Sequence, residues 1–258
     1  TAALTTQRAA SAPANISATT GDTKATITFS GAVTNGSTIT SYTVQAYDST
    51  DTALTGLTCT VTTSAASGSC EVTGLTNGTS YTFRAVTNST ANSAAVSSAV
   101  SIPTAAIIPA KAPDAPTGLE VTAGTGKITV SWQEPASNGS TILSYSVQAY
   151  DAAGNAVVGA ICTVTAPALT CDVSTNLLPA NNYTFKATAT SAAGTSAASS
   201  ASPAAAINAP PSAPLNVTAV AAVSSVTVSW DAPANINGSA IIGYTATAYT
   251  PENTVAGS

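Results

Sequence analysis

The sequence predicts an all-β protein of tandem β-sandwich modules in a row, the third of which is incomplete. A stretch of two alternating strands joined by a turn, residues 127–150, recurs at residues 24–47 and 226–249. The first tyrosines of the three copies are 103 and 99 residues apart, which is the length of a small domain. A chain of 258 residues therefore holds two complete modules and part of a third.

Proline-rich segments mark the boundaries between the modules. One begins at Pro103 and another at Pro203, and proline at this density favours extended, semi-rigid spacers. The predicted order is a leader, module 1, a linker, module 2, a second linker and the N-terminal half of module 3, at residues 1–10, 11–104, 105–112, 113–203, 204–210 and 211–258.

Apolar and polar residues alternate along the strands of each copy. Ile128, Val130 and Trp132 occupy one face of the first strand of this stretch in module 2, and Thr129 and Ser131 occupy the other. The same alternation is found at Ala25, Ile27 and Phe29 in module 1 and at Val226, Val228 and Trp230 in module 3. One face of each strand is therefore expected to lie in the core.

Module 3 has no counterpart of the later strands of modules 1 and 2. Its last residue, Ser258, aligns with Gly159 of module 2. Half a sandwich exposes Trp230 and unpaired strand edges. We therefore expect strand completion of module 3, either by the downstream chain or by another subunit.

The four cysteines occur as one close pair in each complete module, Cys59 with Cys70 and Cys162 with Cys171. Their even number, short spacing and repetition predict two local disulfides and an oxidising compartment. The sequence TSAASG between the first two cysteines is interpreted as the turn of a hairpin. Zinc binding is disfavoured because the chain has no histidine and each module offers only two thiolates.

The composition argues against several classes of partner. Charged residues make up 7% of the chain, against about 25% in typical soluble domains. With six basic residues and a net charge of −5, the chain has no patch that would neutralise nucleic-acid phosphates or bind an anionic membrane. No apolar run approaches the roughly 20 residues of a spanning helix. The absence of methionine and the first residue, Thr1, are typical of a mature product whose signal peptide has been removed, and a segment cut from a longer chain would look identical. With the cysteine pairs, they favour a secreted protein, extracellular or on the cell surface.

No catalytic, cofactor-binding or metal-binding residues are predicted, and the protein is expected not to be an enzyme. The chain has no histidine to act as a general base and no nucleophile-elbow or phosphate-loop motif. Asp48 and Asp51 share a turn, but the spacing lacks the remaining ligands of a calcium loop. We interpret them as solvated turn residues.

Two repeated features are candidates for a contact surface. One tyrosine per module is out of phase with its inward neighbours and is expected on the outer face, either packed against a neighbouring strand or available for contact: Tyr47, Tyr150 and Tyr249. Asn-Gly-Ser triplets begin at Asn35, Asn138 and Asn237. Asn-Gly is typical of a turn with positive φ, and such a loop is also suited to binding.

The modules resemble the fibronectin type III domain. The resemblance rests on the strand tryptophan, the I-x-x-Y-x-V strand from Ile142, and the L-x-x-x-x-x-Y-x-F pattern from Leu177, and it covers nearly all of residues 11–258. It implies seven-stranded immunoglobulin-like sandwiches with a tyrosine corner. Phe29 replaces the tryptophan in module 1. The cysteine pairs and the richness in Ala, Ser and Thr resemble the modules of secreted bacterial surface proteins.

Two functions are compatible with this pattern. One is a structural or interaction protein, a rod of modules in a cell-surface adhesin, filament or surface layer, whose partners are other protein copies or cell-surface components. The other is a set of non-catalytic spacer modules in a larger secreted polysaccharide-degrading enzyme. Carbohydrate binding by the modules themselves is disfavoured, because every aromatic residue falls on a repeated strand position.

Overall fold

The structure is a computed structural model that describes residues 7–179, 181–250 and 252–257. In these residues the secondary structure consists of β-strands, and none of them lies in a helix able to span a membrane. Of the predicted leader, only residues 7–10 are described.

Module 1 is a sandwich of two antiparallel sheets. Its strands are β1 (Asn15–Gly21), β2 (Lys24–Ser30), β3 (Thr38–Tyr47), β4 (Ala53–Thr62), β5 (Gly68–Thr73), β6 (Thr82–Ala91) and β7 (Ala94–Ser97). One sheet has the order β1-β2-β5 and the other has the order β4-β3-β6-β7. The repeated stretch at 24–47 therefore contributes one strand to each sheet, β2 and β3.

Module 2 repeats this topology. Its strands are β8 (Thr117–Gly124), β9 (Lys127–Gln133), β10 (Ile142–Tyr150), β11 (Ala156–Thr165), β12 (Thr170–Val173), β13 (Thr184–Ser191) and β14 (Gly194–Thr195). The sheet orders are β12-β9-β8 and β11-β10-β13-β14. The prediction of tandem all-β sandwiches is confirmed.

The core of each module lies between its two sheets, on the faces that the alternation predicts. Ile27 on β2 is fully buried, and Phe29 on the same strand packs against Tyr42 on β3 with ring centres 4.5 Å apart. In module 2, Trp132 and Tyr145 form the equivalent pair at 5.3 Å. Burial of these apolar faces is the main favourable contribution to folding.

The predicted tyrosine corner is present in both complete modules. The Tyr81 hydroxyl accepts a hydrogen bond from the backbone N–H of Thr76 at 3.0 Å, and the Tyr183 hydroxyl accepts one from Leu178 at 2.9 Å. The leucine that comes six residues before each tyrosine, Leu75 or Leu177, is buried. The corner thus anchors the loop that leads into β6 or β13.

The interpretation of TSAASG as a hairpin turn is wrong. β4 pairs with β3, and β5 pairs with β2, so residues 63–67 carry the chain from one sheet to the other. A short turn between two alternating strands looks the same locally whether the strands pair with each other or with distant strands. Only the long-range pairing distinguishes these two arrangements.

Module 3 forms less regular structure than its sequence pattern predicts. Its strands are β15 (Leu215–Ala222), β16 (Ser225–Asp231), β17 (Ala248–Tyr249) and β18 (Val255–Gly257), arranged as the pairs β15-β16 and β17-β18. The alternating stretch before Tyr249 was expected to be a full strand, but residues 240–247 are not one. Their counterparts β3 and β10 have a strand on each side, whereas the described part of module 3 places no strand beside residues 240–247.

Candidate functional site

The disulfides link the two sheets of each complete module. Cys59 on β4 is bonded to Cys70 on β5, and Cys162 on β11 is bonded to Cys171 on β12, with Cα atoms 6.1 and 6.2 Å apart. The structure thus contains the pairs that the sequence predicts, and the described residues include no free cysteine. These cysteines are not available as nucleophiles or metal ligands.

The tyrosines predicted for the outer face lie in two different environments. In both complete modules a cation covers the ring: the Arg84 guanidinium carbon is 4.8 Å from the ring centre of Tyr47, and the Lys186 ammonium is 5.0 Å from that of Tyr150. Both rings are half-buried. Tyr249 of module 3 is 60% exposed. The first two tyrosines therefore present a covered ring, and the third presents an open one.

The three Asn-Gly-Ser turns hold the segment that precedes their module. Both turn residues have positive φ in every copy, as the sequence predicts. The asparagine Nδ2 donates to a backbone carbonyl of the preceding segment in the pairs Asn35 with Ala9, Asn138 with Ala112 and Asn237 with Pro210, at 3.0, 3.0 and 2.8 Å. These amides are therefore engaged in joining each module to the segment before it.

The carboxylate of Asp48 is occupied by its own turn. Its Oδ1 accepts hydrogen bonds from the backbone N–H groups of Thr52 and Thr50 at 2.9 and 2.8 Å. These bonds, with that of Thr52 the strongest influence, hold the pKa of Asp48 below its usual value. Asp151 in module 2 makes the same turn, and its pKa is lowered chiefly by the backbone N–H of Asn155. Within the described residues, no group of acidic or cysteine side chains has the arrangement of a metal site.

Comparison with known proteins agrees with this geometry. The family description "Fibronectin type III domain" matches residues 11–103 and 114–205. The chain belongs to the fibronectin type III family. Modules of this family are generally non-catalytic, and their tandem arrangement indicates a structural or interaction role. The disulfides and the family are consistent with an extracellular protein.

Two solved structures match part of this fibronectin type III chain. The chicken CNTN1 FN1-FN3 domains are 20% identical, with a TM-score of 0.37 over 86% of this chain and 75% of theirs. The structure of titin kinase and its flanking domains is 23% identical, with a TM-score of 0.31 over 38% of this chain and 18% of its own length. No curated protein matches the chain.

A half-buried glutamine in each of the two complete fibronectin type III modules was not predicted from the sequence; it lies where the pairing of β3 with β4, or of β10 with β11, is interrupted by a β-bulge, and is called the bend glutamine below. The side-chain Nε2 of Gln45 lies 2.9, 2.7 and 3.3 Å from the carbonyl oxygens of Ala46, Leu54 and Leu57. Gln148 makes the same three contacts in module 2, at 2.8, 2.8 and 3.3 Å. The signal was the repeated tripeptide Gln-Ala-Tyr, which becomes Thr-Ala-Tyr from Thr247 in module 3.

Hydroxyl residues spaced three apart close one edge of β6 and one edge of β13. They are Ser98, Ser101 and Thr104 in module 1 and Ser196, Ser199 and Ser202 in module 2. Each accepts a backbone N–H of the strand through its Oγ, and each donates its own N–H to the carbonyl of that same strand residue. The repeated S-x-x-S-x-x-[S/T] spacing was the signal for this edge. The backbone N–H and C=O groups of these strand residues are therefore already hydrogen-bonded and cannot pair with the strand of another chain.

The apolar face of module 3 is open. An open groove of about 930 Å³ is lined by Val226, Val228 and Trp230 of β16 and by Tyr244 and Ala246 of the next segment. The Trp230 and Tyr244 rings still meet, with centres 5.4 Å apart, as their counterparts do in modules 1 and 2. Val226 is 61% exposed and Tyr244 is 42% exposed.

Proposed function

We propose that this chain is a non-catalytic structural or interaction protein on the outside of a bacterial cell, and that its modules act as units of a larger assembly such as an adhesin, a filament or a surface layer. The observation behind this proposal is that the same polar side chains hold the fold together in both complete modules. Disulfides, bend glutamines, turn carboxylates and edge hydroxyls recur at equivalent positions.

The surface of the modules supports contacts between proteins that do not depend on charge. Three exposed ion pairs involve half of the six basic residues, namely Lys24–Glu71, Arg84–Asp51 and Lys127–Asp172. Hydroxyls and amides on the outer faces bond to one another, as Ser17 does to Thr28 at 2.7 Å. A surface with so little net charge offers weak repulsion between copies.

The experiment is to measure the molar mass in solution by analytical ultracentrifugation over a range of concentrations at low and high salt. Ordered, reversible self-association that persists when the module 3 face is blocked by Val228→Glu supports the assembly role of the complete modules. A chain that stays monomeric under every condition contradicts that role and favours the spacer function. Thr227→Glu, on the opposite face of β16, is the matched control for the added charge.

A further inference from the structure

One edge of module 1 differs from the edge that the hydroxyl residues close. In the sheet β4-β3-β6-β7, strand β4 lies at one end and pairs with β3 alone. The opposite end of this sheet is the one along which Ser98, Ser101 and Thr104 bond to β6. In the described part of the chain, no hydroxyl segment of this kind runs along β4. Strand β4 is therefore an open edge.

The register of the ladder shows which backbone groups of β4 face this open edge. The backbone N–H of Thr63 donates to the carbonyl oxygen of Thr40 at 3.3 Å, so these two residues form a hydrogen-bonded pair. Such pairs recur at every second residue of an antiparallel ladder. The backbone groups that alternate with them point away from β3, and they belong to Thr58, Thr60 and Thr62. Among the described residues, no group outside the ladder hydrogen-bonds to the backbone of these three threonines.

The three threonines make this edge complementary to itself. Residues 58–62 have the sequence Thr-Cys-Thr-Val-Thr, with a threonine at every outward position. When two copies of β4 lie antiparallel about Thr60, Thr58 of each copy is opposite Thr62 of the other. The opposed residues then form about six backbone hydrogen bonds. Their exposed side chains lie on one face of the joined sheet, where threonine–threonine pairs are favourable.

The charges near this edge do not oppose such a pair. Strand β4 contains no charged residue and no proline, which are common devices for protecting an edge strand from other chains. The strand of the other sheet that is disulfide-linked to β4 is β5, and its Glu71 carboxylate is paired with Lys24 at 2.9 Å. Two copies of β4 can therefore meet without like charges opposite each other.

The equivalent edge of module 2 is less suited to this pairing. Strand β11 has Ile161, Thr163 and Thr165 at the three outward positions, so its sequence is not symmetric about the central residue. The carbonyl oxygen of Thr165 also accepts the backbone N–H of Ala168 at 3.2 Å. One outward group of β11 is thus already hydrogen-bonded, and the edge of module 1 is the selective one.

We propose that β4 of module 1 is a self-association edge, at which a second copy of this chain adds its own β4 in antiparallel orientation about Thr60. The pair has two-fold symmetry and joins two four-stranded sheets into one continuous sheet. Addition of a strand to an open sheet edge is an established mode of recognition. The inference rests on the assembly role proposed above and names the surface that carries it.

The test is analytical ultracentrifugation of the whole chain carrying Val228→Glu, so that the open face of module 3 does not contribute. Thr60→Pro removes the central outward N–H of each copy, and proline is tolerated on an edge strand where its nitrogen faces solvent. We expect it to raise the dissociation constant of the dimer by about ten-fold or more, because two backbone hydrogen bonds are lost. Thr163→Pro, at the equivalent position of β11, is the matched control and should leave self-association unchanged.

A pair of charged variants tests the predicted register. Thr60→Lys and Thr60→Glu each place like charges opposite each other at the two-fold axis, so each variant alone should self-associate more weakly than the parent. Mixed in equal amounts, the two variants should form a one-to-one dimer, because opposite charges then face each other. Slower hydrogen exchange at the amides of Thr58, Thr60 and Thr62 as the concentration of the Val228→Glu chain rises provides an independent measurement. Circular dichroism verifies that every variant is folded.

Three outcomes overturn the proposal. They are self-association that Thr60→Pro leaves unchanged, equal effects of Thr60→Pro and Thr163→Pro, and a mixture of the two charged variants that associates no better than either alone. The assembly role survives each of them, because the chain still self-associates. A chain that is monomeric under every condition contradicts both the edge and the assembly role, so the two failures are distinguishable.

Discussion

Residues 127–150 of module 2 and 226–249 of module 3 have the same pattern, yet only the first forms two full strands. In module 2, β9 and β10 lie in separate sheets and each has neighbours on both sides. In module 3, β16 forms with one neighbour, whereas the next strand is reduced to Ala248–Tyr249. Period-two alternation makes a segment suitable for a strand, but a ladder partner and an apolar layer are needed to form it.

The largest expected difference in stability is between variants of the two tryptophans. Trp132→Ala should lower the free energy of unfolding of module 2 by about 3 to 5 kcal/mol, because it empties a core site in which the side chain is only 5% exposed. Trp230→Ala should leave the unfolding of modules 1 and 2 unchanged. Chemical denaturation followed by amide hydrogen exchange of each module measures both variants. Similar losses for the two would show that module 3 has a closed core in solution.

Removal of one disulfide should have the next largest effect. The Cys162→Ala and Cys171→Ala double variant should destabilise module 2 by roughly 2 to 3 kcal/mol, as expected for a short closed loop. Module 1, with its own Cys59–Cys70 bond, is the internal control. Calorimetry should show the unfolding transition of module 2 moving to lower temperature while that of module 1 stays unchanged. A shift of both transitions would mean that the two modules unfold as one unit.

The bend glutamine distinguishes module 2 from module 3 by a single side chain. Gln148→Ala leaves three partly buried carbonyl contacts without a donor and should cost about 1 to 2 kcal/mol of module 2 stability. Thr247→Ala, at the equivalent place in module 3, should have no measurable effect on modules 1 and 2. Urea unfolding midpoints provide the comparison. An unchanged midpoint for Gln148→Ala would exclude a stabilising role for this amide.

The edge hydroxyls should have a smaller effect. Ser199→Ala removes the Oγ that accepts the backbone N–H of Ala187 at 2.9 Å, at a buried site, and should cost about 1 kcal/mol. Ser200→Ala, next to it and exposed, is the control and should be neutral. Faster hydrogen exchange confined to β13 in Ser199→Ala is the expected signature. Equal effects of the two substitutions would contradict the edge-closing role.

The smallest expected difference between the modules is in how their stability depends on acid pH. The pKa of Asp151 is lower in the folded protein than its usual value, so its stabilising effect is complete above about pH 4 and is lost as the pH falls below that value toward the lowered pKa. Asp151→Asn should flatten this part of the profile of melting temperature against pH for module 2. Thr250 stands at this position in module 3 and does not titrate. If the profile of Asp151→Asn matches that of the parent chain, the turn carboxylate is not the cause of the loss of stability at acid pH.

Local patterns were sufficient for much of the fold. Period-two alternation identified the buried faces of β2 and β9, and positive φ at Asn138 and Gly139 follows from Asn-Gly turn chemistry. The cysteine pairs followed from their spacing and repetition. By contrast, the hairpin proposed between β4 and β5 was wrong, because a turn sequence does not state which strand its flanks will meet.

The candidate site was harder to predict than the fold. Sequence reasoning placed Tyr47 and Tyr150 on the outer face, but the cations that cover them lie on neighbouring strands that are distant in sequence, 37 and 36 residues further along the chain. It missed Gln45 and Gln148, because the repeated tripeptide Gln-Ala-Tyr does not indicate which groups the glutamine side chain contacts. Their role appears only when the bend brings backbone carbonyls around the amide.

The sequence alone determined the repeat, the modules, the turn positions and the disulfide partners, since each depends on residues close together or on a pattern repeated at a fixed interval. The tertiary structure decided which strands pair, which polar groups are used within the modules, and which apolar face stays open. These depend on long-range neighbours: a strand becomes stable when another strand satisfies its backbone and an opposing layer covers its side chains. Modules 1 and 2 meet both conditions in the described residues, and the open groove of module 3 marks where they are not met.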